Sequence, residues 1–275
     1  MATSRALRRT GWYLLLTGLS LVVLFPIYLT IVRAVSQPVS YVDAGQPLHP
    51  VDVQRSVFGD AWRQGHLASA MLRSTVMTVL ITVAEVVTSV LAAYALVFIR
   101  FPFKRLLFAL CMATLLLPIE VTLLANASTI RQLHWIDSMQ ALVLPFAANA
   151  LGIFLLRQAF AGIPRDLHDA AKLDGYGHVA FMTKFVVPLT RPVLGAFTLI
   201  AALTAWGQYL WPRTVIEDSD AWTLQLAITR LLGTRPEQAN VGVAGALIAA
   251  VPVVILLVIF QRQIVRGLTA GAVKG

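Results

Sequence analysis

Ile163-Pro164-Arg165-Asp166-Leu167-His168-Asp169-Ala170-Ala171-Lys172-Leu173-Asp174-Gly175 is a polar island between two strongly apolar stretches. Pro164 suits the first turn of a helix, where its missing N–H has no partner to lose. Asp166 stands near the positive N-terminal end of such a helix. Gly175 is a natural stop, because glycine accepts the left-handed conformation that closes many helices. Leu167, Ala170, Ala171 and Asp174 recur at i, i+3, i+4 and i+7 and share one face. The spacing predicts a short surface helix with a stripe of small residues. A second helical piece, His178 to Phe185, is predicted behind it and breaks at Pro188.

The chain on either side is apolar. Of its 275 residues 58% are hydrophobic and 13% charged, against roughly 25% charged in a soluble domain. A run of about 18 apolar residues crosses the roughly 30 Å hydrocarbon layer as a helix. Six apolar runs are predicted to span: Trp12 to Val32 with Pro26 inside it, Thr75 to Ile99, Leu106 to Ala127, Ala141 to Leu156, Val193 to Trp211, and Val241 to Phe260. The expected fold class is an all-α membrane protein of six transmembrane helices. Its parts are a tail at 1–11, a first helix at 12–34, an external loop at 35–72, a five-helix core at 73–265 carrying the cytoplasmic loop 162–190, and a tail at 266–275.

Arg5, Arg8 and Arg9 ahead of the first run resemble the start of a secretory signal. The run is too long for a typical signal core and no convincing small-x-small cleavage site follows it, so it is read as a retained span. The external loop, rich in Pro, Gly and polar residues, is too polar to cross lipid. A short interfacial helix is expected in it, with Trp62 in the same loop.

Charge placement sets the orientation. Fourteen of the 22 Lys and Arg residues fall in the tails and connections at 1–11, 99–105, 157–191 and 261–275. The positive-inside rule therefore puts both termini and the 162–190 loop in the cytoplasm. A net charge of +9 would suggest nucleic acid on a soluble protein. Here the basic residues sit in short segments between apolar runs, with no basic arm, and membrane topology is the better reading. The single cysteine, Cys111, excludes an intramolecular disulfide and a cysteine metal cluster.

Asp169-Ala170-Ala171-Lys172-Leu173-Asp174-Gly175, with Val187-Pro188 behind it, resembles the EAA loop of binding-protein-dependent ATP-binding-cassette importers. In that family the loop forms a coupling helix that docks on the ATPase subunit. The resemblance assigns ATPase coupling to Asp169, Ala170, Ala171, Asp174, Gly175 and Pro188. Asp169 stands where the family has Glu, Tyr176 where it has Ala, and Val187 where it has Leu. Leu155-Leu156-Arg157-Gln158-Ala159-Phe160, Leu117-Pro118 with Val121-Thr122, and Pro188-Leu189-Thr190-Arg191-Pro192 are similar to the carbohydrate-uptake branch. So is Trp206-Gly207-Gln208-Tyr209-Leu210-Trp211-Pro212, with Gly207 in place of the usual Asn. This last run is most like the second permease of glycerol-3-phosphate and glycerophosphodiester importers. The resemblance covers about Thr75 to the C-terminus. It implies a six-helix type I permease, a homologous permease partner, an ATPase dimer that binds ATP and Mg, and an extracytoplasmic solute-binding protein. It implies no cofactor in this chain.

Glu85 and Glu120 are the acidic residues deep in apolar runs, where a carboxylate faces a cavity or a partner by default. Glu120 follows Pro118, which opens the helix towards a pathway. For Glu85, Thr82 and Thr88 stand close enough in sequence to satisfy it within a bundle. Gln208 and Tyr209, beside Trp206, offer donors and acceptors next to an aromatic face, as a polyol or phosphodiester path needs; such a face also attracts a choline-like cation. Asn126 and Asn149 extend the same set. Trp211 reads equally as an aromatic belt at the lipid surface. Gly242, Gly245 and Ala246 suit close helix packing.

A nucleotide-binding P-loop needs Gly-Lys before Ser or Thr, and the chain contains no Gly-Lys pair. Neither a His-x-x-x-His pair nor a nucleophile elbow appears. ATP hydrolysis is thus expected from a separate subunit. A sugar remains the rival substrate. A secondary transporter would show inverted halves and buried charge pairs, and a channel has no need of the 162–190 loop.

Overall fold

The computed structural model describes residues 2–233 and 236–272, without the side chains of 2–8, 119–120 and 262–272. Its described elements are helical. Helix α1 is Ala2–Val35, α2 Pro38–Asp43, α3 Val57–Gln64, α4 Leu67–Phe98, α5 Lys104–Thr114 and α6 Ile119–Gln132. Then follow α7 Met139–Val143, α8 Ala150–Ala161, α9 Arg165–Leu173, α10 His178–Phe181, α11 Val187–Leu189, α12 Arg191–Trp206, α13 Leu210–Val215, α14 Leu224–Gly233 and α15 Ala239–Ala272. The chain divides into two compact units, residues 1–69 with 227–251 and residues 70–226 with 252–275. Pro252, inside α15, marks the second crossing point.

Among the described residues, three helices are long and apolar enough to cross a membrane: Arg9–Val35, Leu67–Phe98 and Pro236–Gln261. Two bent pairs reach that length together. Met139–Phe146 meets Ala150–Ala161 at 43°, and His178–Leu189 meets Arg191–Trp206 at 83°. The run from Leu106 to Ala127, expected as one span, is split into α5 and α6. Pro118 lacks an N–H and disfavours helical geometry in the residue before it, and it sits in extended conformation as the N-cap of α6. Each half, at about 1.5 Å per residue, falls short of the hydrocarbon layer alone.

Other boundaries shift for local reasons. The second long helix begins at Leu67 rather than Thr75, directly behind a turn at Gly65 and His66, where His66 is left-handed. The helix expected to run from Val193 to Trp211 ends at Trp206, with the Gly207 N–H on the Leu203 carbonyl at 3.1 Å. Trp211 therefore belongs to the next short helix. Its side chain is buried and its Nε1 donates to the Ala141 carbonyl at 2.9 Å. A lipid-facing belt position does not describe it, because it anchors the α13–α7 core.

In the first unit the segment 35–69 is held by hydrogen bonds to its own chain. Gln37 N–H donates to Val51 O, Gln54 N–H to Val35 O, and the Tyr28 hydroxyl to Leu48 O. Asn240 Nδ2 donates to Gln54 Oε1 at 2.6 Å. The segment does contain a short helix, α3, and Trp62 lies on it. A Cβ on Gly242 would press on the Leu232 backbone at 2.8 Å, so this glycine does serve close packing. An open cavity of about 480 Å³ is lined by Arg33, Tyr41, Asp43, Glu237 and Asn240 among others.

Candidate coupling loop and polar helix face

Helix α9 ends in a Schellman-type stop. The Gly175 N–H reaches Lys172 O at 3.0 Å and the Tyr176 N–H reaches Ala171 O at 2.9 Å, with Gly175 at φ +80°. A side chain at Gly175 would strain this conformation.

The faces of α9 are sorted differently from the sequence expectation. Ala171 is buried at 4% exposure, and Leu167 and His168 are half-buried beside it. Asp169, Ala170, Lys172 and Asp174 are exposed, and Leu173 is 90% exposed. The two alanines therefore part company. Ala171 lets the helix seat closely on its own protein, while Ala170 joins a surface of Asp169, Leu173 and Asp174.

The seat is aromatic and comes from the end of α4 and from α10. His168 packs on Phe98 at 5.3 Å and Phe181 at 4.9 Å between ring centroids. Tyr94 packs on Phe98 at 5.0 Å, and its hydroxyl meets His178 Nδ1 at 2.9 Å. Burial holds the His168 imidazole below its ordinary range; Lys172 pushes the same way and Asp169 opposes it. Tyr176, the departure from the family's alanine, stacks edge-on against Phe185 at 5.2 Å and receives the Lys184 ammonium on its face. Between α10 and α11, residues Met182–Val186 form a π-turn. Pro188 lies in α11, just before the 83° bend.

The pathway candidates fall on several elements, with Trp206, Gln208 and Tyr209 together at the junction of α12 and α13. Asn149 caps α8, its Oδ1 accepting from the Leu151 and Gly152 N–H groups. Asn126 is exposed on α6. Trp206 is buried at the end of α12, its carbonyl accepting from Gln225 Nε2. Tyr209 is engaged by Arg213, whose Nη1 donates to its hydroxyl at 2.8 Å. Gln208 carries a buried Oε1 without a hydrogen-bond partner. The Glu120 side chain lies outside the described residues.

Glu85 is 6% exposed. Neither threonine expected to satisfy it does so. Thr88 directs its hydroxyl to the carbonyls of Ala84, Glu85 and Ala147, and Thr82 Oγ1 is buried without a partner. Asn149 is the polar neighbour of the carboxylate. Sequence reading left out Tyr94, Phe98 and His168, which α4 and α9 bring together from far apart. It also left out the polar face of α4, whose signal was present as a helical spacing of Ser74, Thr78, Thr82, Glu85 and Ser89.

Residues 85–270 match the family model described as the inner membrane component of binding-protein-dependent transport systems. Among curated proteins, the sn-glycerol-3-phosphate transport system permease protein UgpE of Yersinia pestis bv. Antiqua is 34% identical over 256 residues, covering 90% of this chain and 91% of its own. The protein of the same description from Pectobacterium atrosepticum is 34% identical over 263 residues, and that from Escherichia coli O157:H7 is 33% identical; each alignment covers 93% of both chains. In fold, a chain from the crystal structure of a bacterial ABC transporter involved in the import of the acidic polysaccharide alginate superposes with a TM-score of 0.80 at 23% identity, over 94% of this chain and 97% of the other. With the family model matched over more than half of its length, this chain belongs to the inner membrane components of binding-protein-dependent transport systems.

Proposed function

We propose that the chain is one of two permease subunits of an ATP-driven importer for glycerol-3-phosphate or glycerophosphodiesters such as glycerophosphocholine. The substrate class is carried over from the UgpE relatives, which are sn-glycerol-3-phosphate transport system permease proteins. The subunit spans the inner membrane six times with both termini in the cytoplasm, α5 and α6 together making the third crossing. A homologous permease completes the pathway and a solute-binding protein caps it outside. An ATPase dimer supplies hydrolysis, with ATP and Mg bound there.

The observation that carries the coupling role is the two-faced α9. One face is seated on Phe98 and Phe181, while Leu173, Asp169, Ala170 and Asp174 stand out. A solitary leucine at 90% exposure between two carboxylates suits an apolar socket with basic edges on a partner. ATP closes the paired ATPases, α9 transmits that motion through Gly175 and Pro188, and the cavity turns outward. Hydrolysis resets it. Glu120, Asn126, Asn149, Gln208, Tyr209 and Trp206 are the proposed pathway set.

A detergent pull-down of the tagged chain from its native membranes tests the reading. Co-purification of a second permease, an ATPase and a solute-binding protein is expected. The binding protein is then titrated with glycerol-3-phosphate, glycerophosphocholine and sugars; binding of sugars alone would move the substrate to carbohydrate. Recovery of the chain only as a stable homo-oligomer would overturn the importer assignment in favour of a channel or secondary transporter.

A further inference from the structure

Ser74, Thr78, Thr82, Glu85 and Ser89 lie on one face of α4, at spacings of four, four, three and four residues. All five are at most 8% exposed. At about 1.5 Å per residue the row is roughly 22 Å long, most of the hydrocarbon thickness. Its two ends are used for packing. Ser74 Oγ accepts from the Leu224 N–H at 2.8 Å, and Ser89 Oγ donates to the Asn149 carbonyl at 3.4 Å.

The middle of the row is not so used. Thr78 Oγ1, Thr82 Oγ1 and Glu85 Oε2 are buried with no hydrogen-bond partner. A hydroxyl in an apolar helix ordinarily returns its proton to the carbonyl four residues back. Ser20, Thr30, Thr75, Thr88 and Thr198 of this chain do that at 2.8 Å. Thr78 and Thr82 instead leave their own backbone unengaged. Three consecutive orphans on one face are costly unless something with donors and acceptors visits them. The row itself holds no cation, so it suits the hydroxyl groups of a substrate and not its phosphate. Threonine hydroxyls both donate and accept, and the carboxylate accepts.

Resting on the permease reading above, we infer that the Thr78–Thr82–Glu85 face of α4 is a closed segment of the translocation path that binds the hydroxyl groups of a polyol substrate as it passes. Asn149, which turns its Oδ1 to the α8 backbone and stands beside the Glu85 carboxylate, borders the Glu85 end of this segment.

The test uses the assembled importer in proteoliposomes, with Cys111→Ala as background. Thiols are introduced by Thr82→Cys and Thr78→Cys, and by Val83→Cys on the exposed side of α4 as control. Labelling by 2-aminoethyl methanethiosulfonate is followed without nucleotide and in the vanadate-trapped state, with and without binding protein loaded with glycerol-3-phosphate. The expected result is labelling at positions 78 and 82 in only one of the two states, slowed by loaded binding protein, with position 83 indifferent to both. In parallel, Thr82→Val lowers uptake about tenfold and Thr82→Ser, which restores the hydroxyl, returns it to near wild type. With wild-type uptake intact, thiols at 78 and 82 that never react, or that react without substrate protection, overturn this inference alone; so does equal uptake in the Val and Ser variants. Absence of uptake by the wild-type assembly for glycerol-3-phosphate, glycerophosphodiesters and sugars alike overturns the importer reading and this segment with it.

Discussion

The Tyr94 hydroxyl and the His178 Nδ1, separated by 84 positions in sequence, stand 2.9 Å apart and tie the end of α4 to the first residue of α10. The link sits beside the Phe98 and Phe181 rings that seat His168. Tyr94→Phe removes the hydrogen bond and keeps the ring. A bond of this kind contributes about 0.5–1.5 kcal/mol. The expected outcome is a lower ratio of substrate imported to ATP hydrolysed, with membrane insertion unchanged. An unchanged ratio would show that this link does not carry the motion.

Leu173→Asp places a carboxylate where α9 presents its one exposed large apolar side chain. Burying a leucine contributes about 1.5–3 kcal/mol, so ATPase affinity should fall at least tenfold in a titration of detergent-solubilised permease. Leu173→Met should bind near wild type. Charge reversal at Asp169 and Asp174 should also weaken assembly, and intact assembly with intact ATP-driven uptake would refute the coupling role.

The seat of α9 is expected to loosen in acid. His168 is held below its ordinary value of 6.5 by burial first, then by Lys172, with Asp169 opposing and His178 adding to the depression. The seated loop thus prefers the neutral ring. Its contribution is complete above about pH 6.5, and is lost as pH falls below that value, because the unseated loop takes the proton first. Amide exchange over residues 165–173, corrected for intrinsic rates, should rise between about pH 7.5 and pH 5.5. A His168→Gln variant should show no such rise.

Gly152 lies where α8 meets α4 and α12, and a Cβ there would collide with Phe197 and Ser89. Gly152→Ala should therefore destabilise the protein by about 1–3 kcal/mol through overpacking. A lowered midpoint of thermal unfolding in detergent would register it. Gly177, with nothing near its missing Cβ, should tolerate alanine at little cost.

Trp211→Phe leaves the buried Ala141 carbonyl without its donor. A cost of about 1–3 kcal/mol is expected, read by the same unfolding measurement. An interfacial belt residue would show no such loss.

The polar helix between apolar runs was legible because its signals are local. Pro164 starts it, Gly175 stops it, and both act on their own backbone. The breadth of its buried face was not legible, since Ala170 and Ala171 differ only in what packs against them. Tyr94 and His178 carry no mutual signal in the chain. In sequence the place of Trp211 stands open between an interfacial and a functional role, because its Nε1 partner is a backbone carbonyl 70 residues away. The polar neighbour of Glu85 is hidden for a similar reason: Thr82 and Thr88 stand near it in sequence, whereas Asn149 arrives from the start of α8. The break at Pro118 was visible as a residue type, but its effect on the span depended on how the two halves pack.

The right angle before α12 converts one kind of movement into another. Residues His178–Leu189 form an arm of about 18 Å that meets Arg191–Trp206 at 83°. If α12 stands upright in a bilayer, as the proposed six-span arrangement requires, that arm would lie along the membrane surface like the handle of a crank. A slide of the handle along its axis carries the foot of α12 sideways by the same distance. A roll of the handle swings α12 through the same angle. A partner gripping α9 would thus need to deliver no force along the membrane normal in order to re-aim a helix that crosses it.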